Sequence, residues 1–225
     1  MKEKIIIYQI FTRLFGNTNA THKYNGTIAD NGCGKMNGFT PAILRRISEL
    51  GATHVWYTGV IRHATTTDYS AYGIPRQHPA VVKGNAGSPY AITDYYDIDP
   101  DLAVNVEKRM QEFESLVKRT HDAGLKIIID FVPNHVARQY KSIARPKGVK
   151  DFGEDDDTGK QFDPMNNFYY CPGAAFDPET DLHHGEEKPY EEFPAKATGN
   201  DCFGNRPGRN DWYETVKLNY GVDYC

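Results

Sequence analysis

Cysteine is scarce in this chain. Four occur, at positions 33, 171, 202 and 225, and no two of them form a C-x-x-C pair, which removes the usual spacing of a structural zinc site. The simplest reading is four reduced thiols in a cytosolic protein. An excess of positive charge is lacking as well. The 26 Lys and Arg stand against 30 Asp and Glu, a formal net charge of −4, so no basic patch points to nucleic acid. No apolar run approaches the roughly 20 residues of a membrane span. Residues 1–4 lead directly into the apolar run 5–7, too short for a signal-peptide core. That predicts a cytoplasmic protein, although a chain trimmed after a removed leader would read the same.

What the chain does have is an ordinary globular balance, 39% hydrophobic and 25% charged over 225 residues, enough for one large domain or two small ones. Aromatic residues make up 12%, with 15 Tyr. They suit flat stacking surfaces for sugars, and they equally suit ordinary cores and interfaces.

Element signals alternate through the first 135 residues. A strand is expected over about residues 5–11 and a second over 53–58. Between them Thr40 reads as an N-cap and Pro41 as the first helical residue. Ile43, Leu44, Ile47 and Leu50 share one face, and Gly51 is the stop. A loop of some thirty to forty residues, longer than ordinary connections, then runs to Pro100. A second helix follows over about 105–123, with Val106, Met110, Phe113, Leu116 and Val117 as its buried stripe and Gly124 as its stop. The third strand is expected over 126–132. This β-α-β-α-β order predicts parallel βαβ units.

The most informative stretch is Ile127-Ile128-Ile129-Asp130-Phe131-Val132-Pro133-Asn134-His135. Its all-apolar start reads as a strand buried on both faces. Pro133 cannot donate to a ladder, so the strand should end there. Polar side chains are delivered at the C-terminal edge of a parallel strand, where barrel active sites lie. Residues 140–210 are rich in Pro, Gly, Asp and Asn and show little periodicity, and the run 153–157 reads as a solvated surface loop.

This stretch resembles the Asp-x-x-x-Asn-His signature of the α-amylase family, glycoside hydrolase family 13. Residues 90–100 (YAITDYYDIDP) resemble the family segment before the second helix, with Pro89 where glycine is more usual. Residues 5–15 (IIIYQIFTRLF) are similar to its first strand, and 212–220 (WYETVKLNY) to its lead-in to the fourth. The resemblance implies an α/β fold, a partial TIM (β/α)8 barrel comprising the first three βα units, with an irregular domain B insertion after strand 3. The implied division is 1–136 barrel, 137–210 domain B and 211–225 lead-in to strand 4. A full barrel takes about 250 residues, so an open edge at strand 3 is expected to need the remainder of the barrel as a partner polypeptide.

The resemblance also implies roles. Tyr90 matches the tyrosine that stacks on the sugar at the cleavage subsite, and His135 the histidine that donates to that sugar. Asp130 matches an aspartate that holds active-site groups by hydrogen bonds, and its plain alternative is a strand-ending Asp that caps the next loop. Asn134 matches a calcium ligand. Asp151, Asp155, Asp156, Asp157 and Asp163 are available as further ligands, with no basis for choosing among them. Retaining hydrolysis needs two carboxyl groups about 5–5.5 Å apart, which the family carries on strands 4 and 5, so no catalytic residue is assigned here. Arg62 and His63 fall near the same rim without a motif. Zinc at His183-His184 is disfavoured, since adjacent loop residues rarely converge on one ion. Cys33 lacks a His partner for nucleophilic work.

The function expected from all this is a glycoside hydrolase acting on α-linked glucans or maltooligosaccharides, with calcium as the implied cofactor and no nucleic-acid or membrane partner. The alternatives are a non-catalytic or truncated sugar-binding fragment and an α-glucan transglycosylase or phosphorylase on the same scaffold. A metal-dependent barrel hydrolase would need two converging His ligands, and only His135 stands at a strand end.

Overall fold

Local chemistry sets the elements. In the computed structural model, which describes residues 4–224, they run as follows. β1 is Ile7–Phe11, α1 Ile28–Asn31, α2 Pro41–Glu49, β2 His54–Thr58, β3 Ile61–His63 and β4 Ile92–Ile98. After them come α3 Arg109–Asp122, β5 Lys126–Ile129, β6 His135–Ala137, β7 Tyr170–Cys171, β8 Ala195–Lys196 and β9 Thr215–Lys217. Thr40 caps α2 through Ile43 N–H at 3.4 Å, with Pro41 in the first turn. Gly51 and Gly124 take positive φ (+87° and +76°) just past α2 and α3, a conformation that other residues adopt only with strain. The α3 entry is closed by Glu112, whose carboxylate accepts from Val104 and Asn105 N–H at 2.9 and 2.7 Å.

The described residues divide into two units, 4–62 with Ala71–Gly73 and Asp97–Phe131, and His63–Ser70 with Ile74–Tyr96 and 132–224. The first is the βαβ layer. β1, β2 and β5 are all parallel in the order β1-β2-β5, the arrangement expected of the first three units of a (β/α)8 barrel. Leu44 and Ile47 of α2, Leu116 of α3, and Val55 and Tyr57 of β2 are buried together with Met36, Phe39 and Leu125. A fully buried side chain of this kind contributes about 1.5–3 kcal/mol. The Tyr57 hydroxyl is satisfied by Thr120 Oγ1 at 2.8 Å, which in turn donates to Leu116 O. Burial pushes the Tyr57 phenol up to about 12.

Three expectations change here. The third strand ends at Ile129, not near Pro133, because the chain turns at Asp130, whose side chain bonds back to the β2 end. It is also not buried on both faces. β5 is an edge in the order β1-β2-β5, and Ile129 is 38% exposed. The stretch from 59 to 100 is not simply loop, since β3 and β4 pair within it. The aspartates of β4 and its flank explain why. Asp97 accepts two bonds from Arg109 (2.7 and 2.8 Å) and pairs with buried Arg62 at 3.2 Å, which gives Arg62 its place. Asp99 caps the following turn through Asp101 N–H at 2.9 Å.

The second unit has little regular structure. β6 and β9 pair antiparallel, with His135 opposite Lys217, and β7 and β8 pair over two residues each. Val136, Phe168, Tyr170, Val216 and Leu218 form one apolar cluster, and Ala80, Val81, Phe176, Tyr190 and Ala195 another. Its polar frame is Arg138, whose side chain is 0% exposed. The guanidinium donates to Glu192 Oε1 (2.7 Å), Tyr213 O (2.6 Å), Lys196 O (3.2 Å) and Thr215 O (3.1 Å), and lies 3.9 Å over the Phe176 ring. The run 153–157 is only partly solvated. Asp156 turns inward and accepts from Asn167 and Phe168 N–H and from the Tyr170 hydroxyl. Asp94 similarly holds the 142–144 backbone, accepting from Ser142 Oγ (2.7 Å), Ile143 N–H (2.8 Å) and Ala144 N–H (3.1 Å).

Burial pushes the Glu192 carboxyl up, but Arg138 and Lys196 beside it outweigh that and hold it below its ordinary value of 4.5. A lowered carboxylate stabilises the fold above its unfolded pKa and loses that contribution as pH falls through the folded value. Replacing Glu192 by Gln should therefore cost about 3–5 kcal/mol at pH 7, because it strands a buried guanidinium. It should also flatten stability against pH below about 4.5. Urea denaturation of both proteins from pH 7 to pH 3 checks this, and an equal acid response in the two would contradict the assignment.

Candidate functional site

Each candidate is placed by the element that ends beside it. Asp130 follows β5 directly, and both its oxygens are engaged. Oδ1 accepts from Trp56 Nε1 at 2.9 Å and Oδ2 from Gly59 N–H at 3.0 Å. Gly59 has φ +78°, which turns its N–H back toward Asp130. The carboxylate thus ties β5 to β2 and its following turn within the first unit.

Tyr90, Asn134 and His135 come together in the second unit. His135 opens β6, is only 6% exposed, and carries a ring fastened at two points. Nδ1 lies 2.8 Å from Asn134 Oδ1, and the ring also hydrogen-bonds the Tyr90 backbone. The Tyr95 hydroxyl donates to His135 O at 3.3 Å. Gly199 backs the histidine, and a Cβ there would stand 2.8 Å from His135 Cβ and 2.6 Å from Thr215 Oγ1. Only glycine lets the backbone pass this close. The Trp212 ring meets the imidazole edge-on, with centroids 5.2 Å apart at 61°. The Tyr90 side chain is 40% exposed.

Burial holds the His135 imidazole below its ordinary 6.5, and nearby Lys217 adds to this, while the Tyr90 hydrogen bond pulls the other way. The ring is neutral at pH 7 and serves as a hydrogen-bonding group.

The donor set that the resemblance implies for calcium does not assemble among the described residues. Asn134 Oδ1 is occupied by His135. Asp151 pairs with Arg145, Asp155 with Lys150, and Asp157 and Asp163 with Lys160, while Asp156 accepts backbone and Tyr170 donors. No three His, Cys, Asp or Glu side chains converge as metal ligands among the described residues. Burial raises the Cys33 thiol to about 11, which makes it a poor nucleophile. No helix among the described residues is long and apolar enough to cross a membrane.

The sequence model for the α-amylase catalytic domain matches residues 9–182. This chain belongs to the α-amylase family. It is 28% identical to Maltase A2 of Drosophila melanogaster over 174 residues, 73% of this chain and 24% of that protein. It is 45% identical to the rat (Rattus norvegicus) amino acid transporter heavy chain SLC3A1 over 51 residues, 23% of this chain and 7% of that one. Among solved structures, an α-amylase from Lactobacillus plantarum aligns with a TM-score of 0.41 and 27% identity, covering 62% of this chain and 24% of that chain. The chain spans about a quarter of the length of the first curated relatives it matches.

Trp212 and Gly199 escaped the sequence reading as site residues. Trp212 lies inside the family-like segment 212–220, but nothing in its spacing ties it to His135. Gly199 lies in an irregular stretch where one glycine looks like any other.

A histidine with a depressed pKa destabilises the native state once the unfolded chain begins to take up protons. The stability advantage of wild type over His135→Asn should be constant above about pH 7.5 and shrink as pH falls below 6.5. Parallel urea titrations from pH 8 to pH 5 measure it, and an advantage that grows on acidification would show a charged, stabilised imidazole instead.

Proposed function

We propose that this chain carries the sugar-positioning part of a glycoside hydrolase that acts on α-linked glucans or oligosaccharides by a retaining mechanism. The observation that supports it best is the fastened set of Tyr90, Asn134 and His135, on the residues that resemble the family's substrate contacts. Sugar C–H faces are apolar, and the half-exposed Tyr90 ring offers a flat surface that removes them from water. His135 supplies a neutral polar edge beside it. Asp130 serves this reading by positioning the end of β5 rather than by touching substrate. The division into barrel layer and domain B carries over as part of the proposal.

Retention requires a nucleophilic carboxylate and an acid/base carboxyl about 5–5.5 Å apart. We assign neither role to a residue of this chain, so by itself it should bind sugar without turning it over. A second reading, a protein that keeps the domain but not hydrolysis, is favoured by the match to a transporter heavy chain.

Calorimetric titration tests the binding. The chain should bind maltoheptaose and not the β-linked cellohexaose, and Tyr90→Ala should weaken binding by up to about tenfold, the worth of one aromatic contact. Equal affinity for both sugars, or none for either, would sink the proposal. In any longer polypeptide containing this sequence, release of the α-anomer first, followed by proton NMR, supports retention. Tight maltoheptaose binding without turnover there supports the second reading.

A further inference from the structure

Two half-exposed aromatic side chains of the second unit are fastened to the same buried histidine. Tyr90 reaches His135 through its backbone and is 40% exposed, while Trp212 reaches it through its ring and is 41% exposed. Only Tyr90 falls on a residue to which the resemblance gives a role, and Trp212 lies beyond the matched residues 9–182.

Trp212 is held more firmly than its exposure implies. Its main-chain N–H donates to Asn200 Oδ1 at 3.0 Å, and Asn200 Nδ2 donates to Asp211 Oδ1 at 2.9 Å. Asp211 Oδ2 accepts from Gly208 N–H at 2.8 Å. The Trp212 carbonyl accepts from both Thr215 N–H and Thr215 Oγ1, at 2.9 and 3.0 Å. These bonds fix the main chain at Trp212, and the edge-on contact with His135 sets the direction of its ring. A side chain placed in this way has less freedom to lose when a flat ligand settles on it.

We propose that Trp212 is a second sugar-stacking residue, taking a pyranose ring of an α-linked oligosaccharide adjacent to the one at Tyr90 and His135. The inference rests on the sugar-binding reading given above. It adds a specificity element: one aromatic contact suffices for a monosaccharide, and two favour oligosaccharides.

The chain has two tryptophans, Trp56 and Trp212, so fluorescence can separate them. Maltoheptaose should change the emission of wild type and of Trp56→Phe, and leave Trp212→Phe unchanged. Trp212→Leu keeps apolar cover over His135 but loses the flat face. It should melt close to wild type and bind maltoheptaose about three- to tenfold more weakly, the range for one aromatic contact, with glucose binding unaltered. If wild type binds maltoheptaose but Trp212→Leu binds it equally well, or if the emission change survives in Trp212→Phe, this inference fails while the broader reading stands. If Trp212→Leu weakens glucose and maltoheptaose alike and lowers the melting temperature, Trp212 only packs His135 and the inference also fails. If wild type binds no maltooligosaccharide at all, the broader reading fails first.

Discussion

One buried guanidinium organises the second unit. Arg138 follows β6 directly, and its guanidinium makes four hydrogen bonds, to Glu192 and to the carbonyls of Tyr213, Lys196 and Thr215. These partners come from two separate stretches, 192–196 and 213–215, of a segment with little ladder hydrogen bonding. A planar, permanently charged donor fork suits this task, because it can satisfy several acceptors in fixed directions. Burying it without Glu192 would be costly, so arginine and glutamate act as a pair. His135 stands three residues earlier, at the start of β6, and its setting between Gly199 and Trp212 depends on the backbone that Arg138 gathers.

The first unit solves a related problem with anions. Asp97 sits between Arg62 and Arg109, and Asp130 ties the end of β5 to Trp56 and Gly59. Apolar packing of α2 and α3 on the sheet supplies the bulk of the burial. The carboxylates then fix where the strand ends lie, which apolar contacts alone define loosely because they have no direction. Carboxylates placed at strand ends in this way decide which side chains stand at the C-terminal edge of the sheet.

The regular layer was legible in the sequence for plain reasons. Thr40-Pro41 and Gly51 bracket a helix by backbone chemistry, and the apolar stripe of α3 repeats with helical period. The strand 126–129 was recognisable from its isoleucines, but its length was not. Nothing local reveals that Asp130 bonds back to β2, so the strand seemed to continue to Pro133. The same holds for β3 and β4, whose pairing rests on contacts between Arg62, Asp97 and Arg109 that span 47 residues. Tyr90, Asn134 and His135 could be singled out because they sit in recognisable motifs. Trp212 could not be linked to them, since 77 residues of irregular chain separate it from His135, and only the folded backbone brings the rings to 5.2 Å.

The central claim is that the surface around His135 receives an α-linked sugar. Nitrogen-15 NMR of the histidine side chains during titration with maltoheptaose tests it directly. A hydrogen bond between the imidazole and a sugar hydroxyl predicts a saturable shift of the His135 ring resonances, absent with cellohexaose. Unmoved His135 resonances at saturating maltoheptaose, or identical shifts with both sugars, would contradict the account.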